Sequence, residues 1–230
     1  METAQANETF RKGTLDELVS AYKIVLFDTS SILGYLNRKE RGVSISDKIN
    51  KSCFNLENTD FLHRYAENGH IYLTPEVVSE SLANNSYSVK KRIRRRSSHH
   101  DSESLELIRL RGKCLRSLRR FVNSVELNQN IVVLNAEESE IYSNLKSKFN
   151  FIKSKYSLSE TDFSIVLSGI VLSQKRGLTA IVSNDFGLLK SGVELAKLSN
   201  IEIERFGFFI RKRTDYFPSA IGMLAPYPSA

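Results

Sequence analysis

Four apolar residues, Ile24-Val25-Leu26-Phe27, followed at once by Asp28-Thr29-Ser30-Ser31, constrain this chain more than any other stretch. A short β-rich run that is apolar at every position is buried on both faces, as strands of a parallel sheet are. The polar residues behind it cap the start of a helix carrying Ile32, Leu33, Tyr35 and Leu36. One strand of this kind needs covering helices and neighbouring strands of the same type.

The rest of the chain supplies them. His70-Ile71-Tyr72-Leu73-Thr74 reads as a second strand, and Thr74-Pro75 as a helix start leading into Val77, Val78, Ser81 and Leu82. Ile131-Val132-Val133-Leu134 reads as a third strand, Leu178 to Ser183 as a fourth, and Ile201-Glu202-Ile203-Glu204 as a fifth. Between them lie a short helix near Phe61 to Glu67, a helix from Glu137 to about Tyr156, and one opened by the capping-box pattern Ser159-Glu160-Thr161-Asp162. The pattern predicts an α/β protein with a doubly wound parallel sheet. Residues 1–20 read as a polar N-terminal segment with a short helix near Thr14 to Tyr22, residues 21–210 as the domain, and 211–230 as a loosely held tail.

Residues 84–128 stand apart. They hold twelve Lys or Arg against four Asp or Glu, a net of +8, whereas the whole chain carries +7. Leu105, Ile108, Leu115, Leu118, Val122 and Val125 recur at helical spacing, so the second half predicts an amphipathic helix with a basic outer face inserted into the domain. The run Lys90-Lys91-Arg92-Ile93-Arg94-Arg95-Arg96 predicts contacts with phosphates, giving affinity and position rather than sequence readout. A nucleic acid is therefore the expected partner of this run, with a solvated helical face or, in a eukaryotic host, a nuclear localisation signal as its plainer readings.

Cys53 and Cys114 form no CxxC and have no zinc-type His spacing, which excludes a recognisable structural zinc site. No signal-peptide pattern and no long apolar run appear. The expectation is an intracellular, cytoplasmic protein without a membrane span, with the nucleus left open for a eukaryotic host.

In doubly wound sheets, ligands bind beyond the carboxyl ends of the strands. Asp28 closes the first strand and Asp185 lies just past the fourth. Glu80 is six residues into the helix after the second strand, and Asp162 is in the first turn of its helix. No Lys or Arg lies within three residues of Glu80 or Asp162. Converging carboxylates repel, and a hard divalent ion relieves that repulsion. Such an ion lowers the pKa of a bound water and neutralises charge on a phosphate. Each acid also has a plainer role: Asp28 as a helix cap, Asp162 as a capping-box acid, Asp185 as a turn residue and Glu80 as a solvent-facing side chain.

The ordered set Ile24-Val25-Leu26-Phe27-Asp28-Thr29-Ser30, Thr74-Pro75-Glu76-Val77-Val78-Ser79-Glu80, Ser159-Glu160-Thr161-Asp162 and Ile181-Val182-Ser183-Asn184-Asp185 resembles the PIN-domain nucleases. The resemblance implies a three-layer α/β/α fold and a Mg²⁺- or Mn²⁺-dependent endoribonuclease selective for single strands. It implies that Asp28, Glu80, Asp162 and Asp185 are metal ligands, direct or through water, with Thr29, Ser30, Ser183 and Asn184 supporting them. Asn184 stands where some relatives have a further acid, and Glu160 is a spare carboxylate for which capping is the simpler role. A protein partner or inhibitor, such as restrains toxin-type members, and a homo-oligomer stay open. So do a catalytically silent RNA-binding or assembly module and a DNA or flap-structure nuclease. A haloacid-dehalogenase-type phosphatase is disfavoured because Ser30 stands where it needs a second Asp. A Rossmann dinucleotide site is disfavoured because the turn after Phe27 has no glycine.

Overall fold

A computed structural model describes residues 12–33, 43–83, 102–201, 205–210 and 220–223. The described residues are mostly helical, with a small sheet, and the chain divides into two compact units. Unit 1 comprises Met1–Val25 and Asn135–Ala230; unit 2 is Leu26–Leu134.

Unit 1 opens with strand β1 (Lys12–Thr14) and helix α1 (Leu15–Ala21), whose start is a reciprocal capping box between Thr14 and Glu17. Strand β2 (Ile24–Phe27) begins here and is buried at every position. After unit 2 come α6 (Ala136–Lys148), α7 (Asn150–Lys155), α8 (Glu160–Lys175), β4 (Thr179–Ser183), α9 (Phe186–Leu198), β5 (Phe206–Ile210) and β6 (Ala220–Met223). The strand order is β1-β6-β5-β4-β2. β4 and β5 are parallel, with Thr179 beside Phe206 and Ser183 beside Ile210. β6 pairs antiparallel with both β5 and β1. The sheet is therefore mixed rather than parallel throughout, and Ala220–Met223 pair as a strand where the sequence suggested a loose tail.

Two glycines let helices settle on β5. A Cβ at Gly169 of α8 would come within 2.7 Å of the Phe206 ring, and one at Gly192 of α9 within 2.2 Å of the Phe208 ring. Side chains two apart on a strand share a face, so both rings rise from one side of β5, with centroids 4.5 Å apart. α8 is buried continuously from Phe163 to Ser173. Residues 202–204 of the expected fifth strand lie outside the described residues, and the strand found is Phe206–Ile210. The expected helix from Glu137 breaks at Phe149 into α6 and α7.

Unit 2 takes over within β2 and continues through α2 (Thr29–Leu33), α3 (Ile45–Glu67), β3 (Ile71–Tyr72), a helix α4 over residues 75–83 and α5 (Ser102–Leu127). β3 follows β2 in the strand order. The third strand expected at Ile131 to Leu134 shrinks to one parallel bridge, Leu73 with Ile131, closed by hydrogen bonds from Leu73 N–H to Asn130 O and from Val132 N–H to Leu73 O. Val133 is 73% exposed, so that apolar run has no second face to bury.

α3 and α5 run side by side in the same direction. Cys114 Sγ donates to Ser52 O, the Ser117 hydroxyl meets the Asp60 carboxylate, Ser124 Oγ lies 3.1 Å from His63 Nε2, and Asn128 Nδ2 donates to Ala66 O. α5 supplies fully buried Leu118, Phe121 and Val125. Burial pushes the Cys114 thiol up to about 11, and no disulfide is present among the described residues. Among those residues no helix is long and apolar enough to cross a membrane.

Candidate metal and nuclease site

Asp28 follows the last residue of β2 and is 2% exposed. Its Oδ2 accepts from the Ser30 hydroxyl at 2.5 Å and from Ser30 N–H at 3.2 Å. Its backbone oxygen accepts from Ser31 N–H, Ser31 Oγ and Ile32 N–H. Asp28 thus caps α2, as the plainer sequence reading had it, and the cap holds its carboxylate in one orientation. Thr29, the next residue, donates from its hydroxyl to Glu80 Oε2 at 3.1 Å. The bond joins residues fifty-one apart in sequence and ties the helix after β3 to the turn after β2. Within unit 2, then, Asp28 is bonded to Ser30, and its chain neighbour Thr29 to Glu80. Glu80 is half-buried.

Behind these residues lies Asn58 of α3, 4% exposed, a residue the sequence did not single out. Its Nδ2 donates to Ser31 O at 3.1 Å and to Ile32 O at 2.5 Å. These carbonyls lie in the last turn of α2, where a helix takes donors from outside itself. Asn58→Ala removes the donor of two buried hydrogen bonds and is expected to cost about 1–3 kcal/mol in urea unfolding. Its only sequence signal is an Asn at helical spacing from Asn55 and Leu62, a signal shared by many surface asparagines.

Within unit 1, Asp162 is the third residue of α8. Its Oδ2 accepts from Ser159 N–H at 3.0 Å while its own N–H donates to Ser159 Oγ at 3.1 Å, a complete capping box. Asp185 is exposed and caps α9, Oδ1 accepting from Gly187 N–H at 2.7 Å and Leu188 N–H at 3.3 Å. Fully buried Ser183 accepts from Asp185 N–H at 2.9 Å and shapes the turn out of β4; Asn184 between them is half-buried. Glu160 takes no capping role. It pairs with Lys153 and Lys146, and the Lys153 ammonium holds its carboxyl below the ordinary range.

The donors in unit 2 are of the right kind for a hard ion. Mg²⁺ and Mn²⁺ prefer oxygen, and Mg²⁺ keeps several waters and commonly takes only one or two carboxylates from the protein. Against a fuller set, no three His, Cys, Asp or Glu side chains gather closely enough to hold a metal among the described residues. Lys90, Lys91, Arg92, Arg94, Arg95 and Arg96 lie outside those residues. The chain matches no protein-family model, no curated protein and no solved structure.

Proposed function

We propose that the chain is a metal-dependent endoribonuclease with a PIN-like three-layer fold, its chemistry resting on Asp28, Glu80, Asp162 and Asp185. The observation that carries this reading is the bond from Thr29 to Glu80, which ties the residue after Asp28 to a Glu on the helix after the next strand. The ordered resemblance in sequence supplies the other two acids.

Asp28 and Glu80 would hold Mg²⁺ or Mn²⁺, and Asp162 and Asp185 are the further acids that the resemblance in sequence adds. The ion, when bound, supplies an activated water and positive charge beside the phosphoryl oxygens. The protein's part is orientation. Ser30 keeps Asp28 Oδ2 in place, Thr29 keeps Glu80 in place, and Ser183 sets the turn that presents Asp185. No Ser, Cys or His nucleophile enters the reaction.

A labelled single-stranded RNA tests the reading. Cleavage with Mn²⁺ and none with EDTA supports it; cleavage that persists in EDTA sinks it. Thr29→Val keeps the β-branched shape in a site 2% exposed and deletes one charge-assisted bond. Its kcat is expected to fall about tenfold, as loss of a group orienting a metal ligand does. Thr29→Ser should restore most of it, which a packing defect would not.

A second reading, an RNA-binding or assembly module without catalysis, gains from the capping duties of Asp162 and Asp185. Retained RNA binding with no cleavage under any metal would favour it.

A further inference from the structure

α5 carries a stripe of cations on the side turned away from its packed face. Arg109, Lys113, Arg116 and Arg120 recur at intervals of four, three and four residues, and all are exposed. At 100° per residue the four fall within about 60° of one another and run for about 16 Å. The residues α5 buries, Leu107, Arg111, Cys114, Leu118 and Val125, lie on the opposite side of the helix. Arg119 is exposed on the flank of the stripe.

Arg120 lies 3.8 Å from Asp60 of α3. Arg109, Lys113, Arg116 and Arg119 have no ion-pair partner among the described residues. Like charges three or four apart on a helix repel, so this face is relieved by an anion. The step along the stripe, three or four residues of helix, is comparable to the step between successive phosphates of a nucleic-acid strand. Three of the four are arginines, whose forked donors match phosphate oxygens. The exposed acids of α5, Glu103, Glu106 and Glu126, lie toward its ends. A membrane-surface helix would need a continuous apolar face turned outward. Here the apolar face is buried, and the exposed leucines, Leu105 and Leu127, lie beyond the ends of the stripe.

We infer that this stripe of α5 binds the phosphate backbone of a single RNA strand. The site is distinct from the run at residues 90–96, and the choice of RNA rests on the nuclease reading. The stripe gives affinity without base readout, and its contribution falls steeply with salt.

The test is fluorescence anisotropy with a labelled oligouridylate in EDTA, which holds hydrolysis off, across a salt series. The stripe variant, R109Q/K113Q/R116Q/R119Q, removes three cations of the stripe and Arg119 on its flank, all at exposed positions, and spares Arg120 because it pairs with Asp60; folding is checked by circular dichroism. The control, K146Q/K148Q/K190Q/K197Q, removes the same charge from exposed sites on α6 and α9. The stripe variant is expected to bind at least about tenfold more weakly, its salt slope reduced by about 2–3, at about 0.7 per phosphate released. The control should stay within about twofold of wild type. Equal affinity in stripe variant and wild type overturns the inference, as does an equal loss in the control or no RNA binding by wild type. Loss confined to anionic vesicles, with RNA affinity intact, overturns it in favour of a membrane surface. Failure of the nuclease reading is seen separately, as absent cleavage by a wild type whose stripe-dependent binding persists.

Discussion

Asp28→Asn is expected to lower cleavage of single-stranded RNA by about 10²–10³-fold, the range seen when one preorganised charged contact is removed from an active site. Fold and RNA affinity should stay in place. Asparagine is as good a helix cap as aspartate, so the bonds from Ser30 to the Oδ of this side chain, and the start of α2, survive the change. What disappears is the negative charge. A variant with wild-type thermal stability and wild-type anisotropy but no cleavage separates the chemical role of this residue from its structural one. Asp28→Ala would confuse the two, because it removes the cap as well. Cleavage by Asp28→Asn at the wild-type rate would place the chemistry elsewhere.

The second large effect concerns stability. Glu138 of α6 is 2% exposed and bound along both oxygens by Arg176, from Nε at 2.7 Å and from the terminal nitrogen at 2.6 Å. Glu138 Oε2 also accepts from Asn135 N–H in the capping box of α6. The Arg176 hydrogen bonds, opposed by desolvation, hold the carboxyl below its ordinary value of 4.5. Glu138→Ala removes the reciprocal half of the capping box and takes the carboxylate away from the Arg176 guanidinium. Arg176 is 36% exposed, so water offsets part of the loss, and the expected cost is about 2 kcal/mol rather than the 3–5 kcal/mol of a fully buried pair.

The pH dependence follows from the direction of the shift. A carboxyl whose folded pKa is lowered contributes stability in full above its unfolded value, and that contribution drains away as pH falls through the folded value. The stability gap between wild type and Glu138→Gln in urea titrations should therefore be constant at neutral pH and narrow below about 4.5. A gap that stays constant into strong acid would mean that the ion pair contributes nothing.

How much of this could be read from the sequence depended on whether the buried faces are apolar. α5 was legible because Leu118, Val122 and Val125 recur on its packed side. Most of α3 was not. Its buried positions are Ser52, Asn55, Asn58 and Thr59, with Leu62 and Ala66 only at the end, so only its last turns resemble an amphipathic helix. The polar face is held by hydrogen bonds to α2 and α5 that no periodicity reveals. The run Ile131 to Leu134 erred in the other direction. It is apolar like a buried strand, but a single bridge is all the pairing it finds.

At the candidate site, capping chemistry was the most legible part. Ser159 with Asp162 forms the box its spacing predicts. The link from Thr29 to Glu80 had no local signal, because it spans fifty-one residues. Nor did the sequence separate cap from ligand: Asp28, Asp162 and Asp185 all serve as capping or turn acids, and the same oxygens are those a metal would need.

Mn²⁺ binding by the RNA-free protein, measured by isothermal titration calorimetry for wild type, Asp28→Asn and Glu80→Gln, tests most directly whether these two acids act on one ion. The account predicts a site in the wild type that each substitution weakens at least about tenfold. Wild-type affinity in either variant, or no Mn²⁺ binding by the wild type, would contradict it.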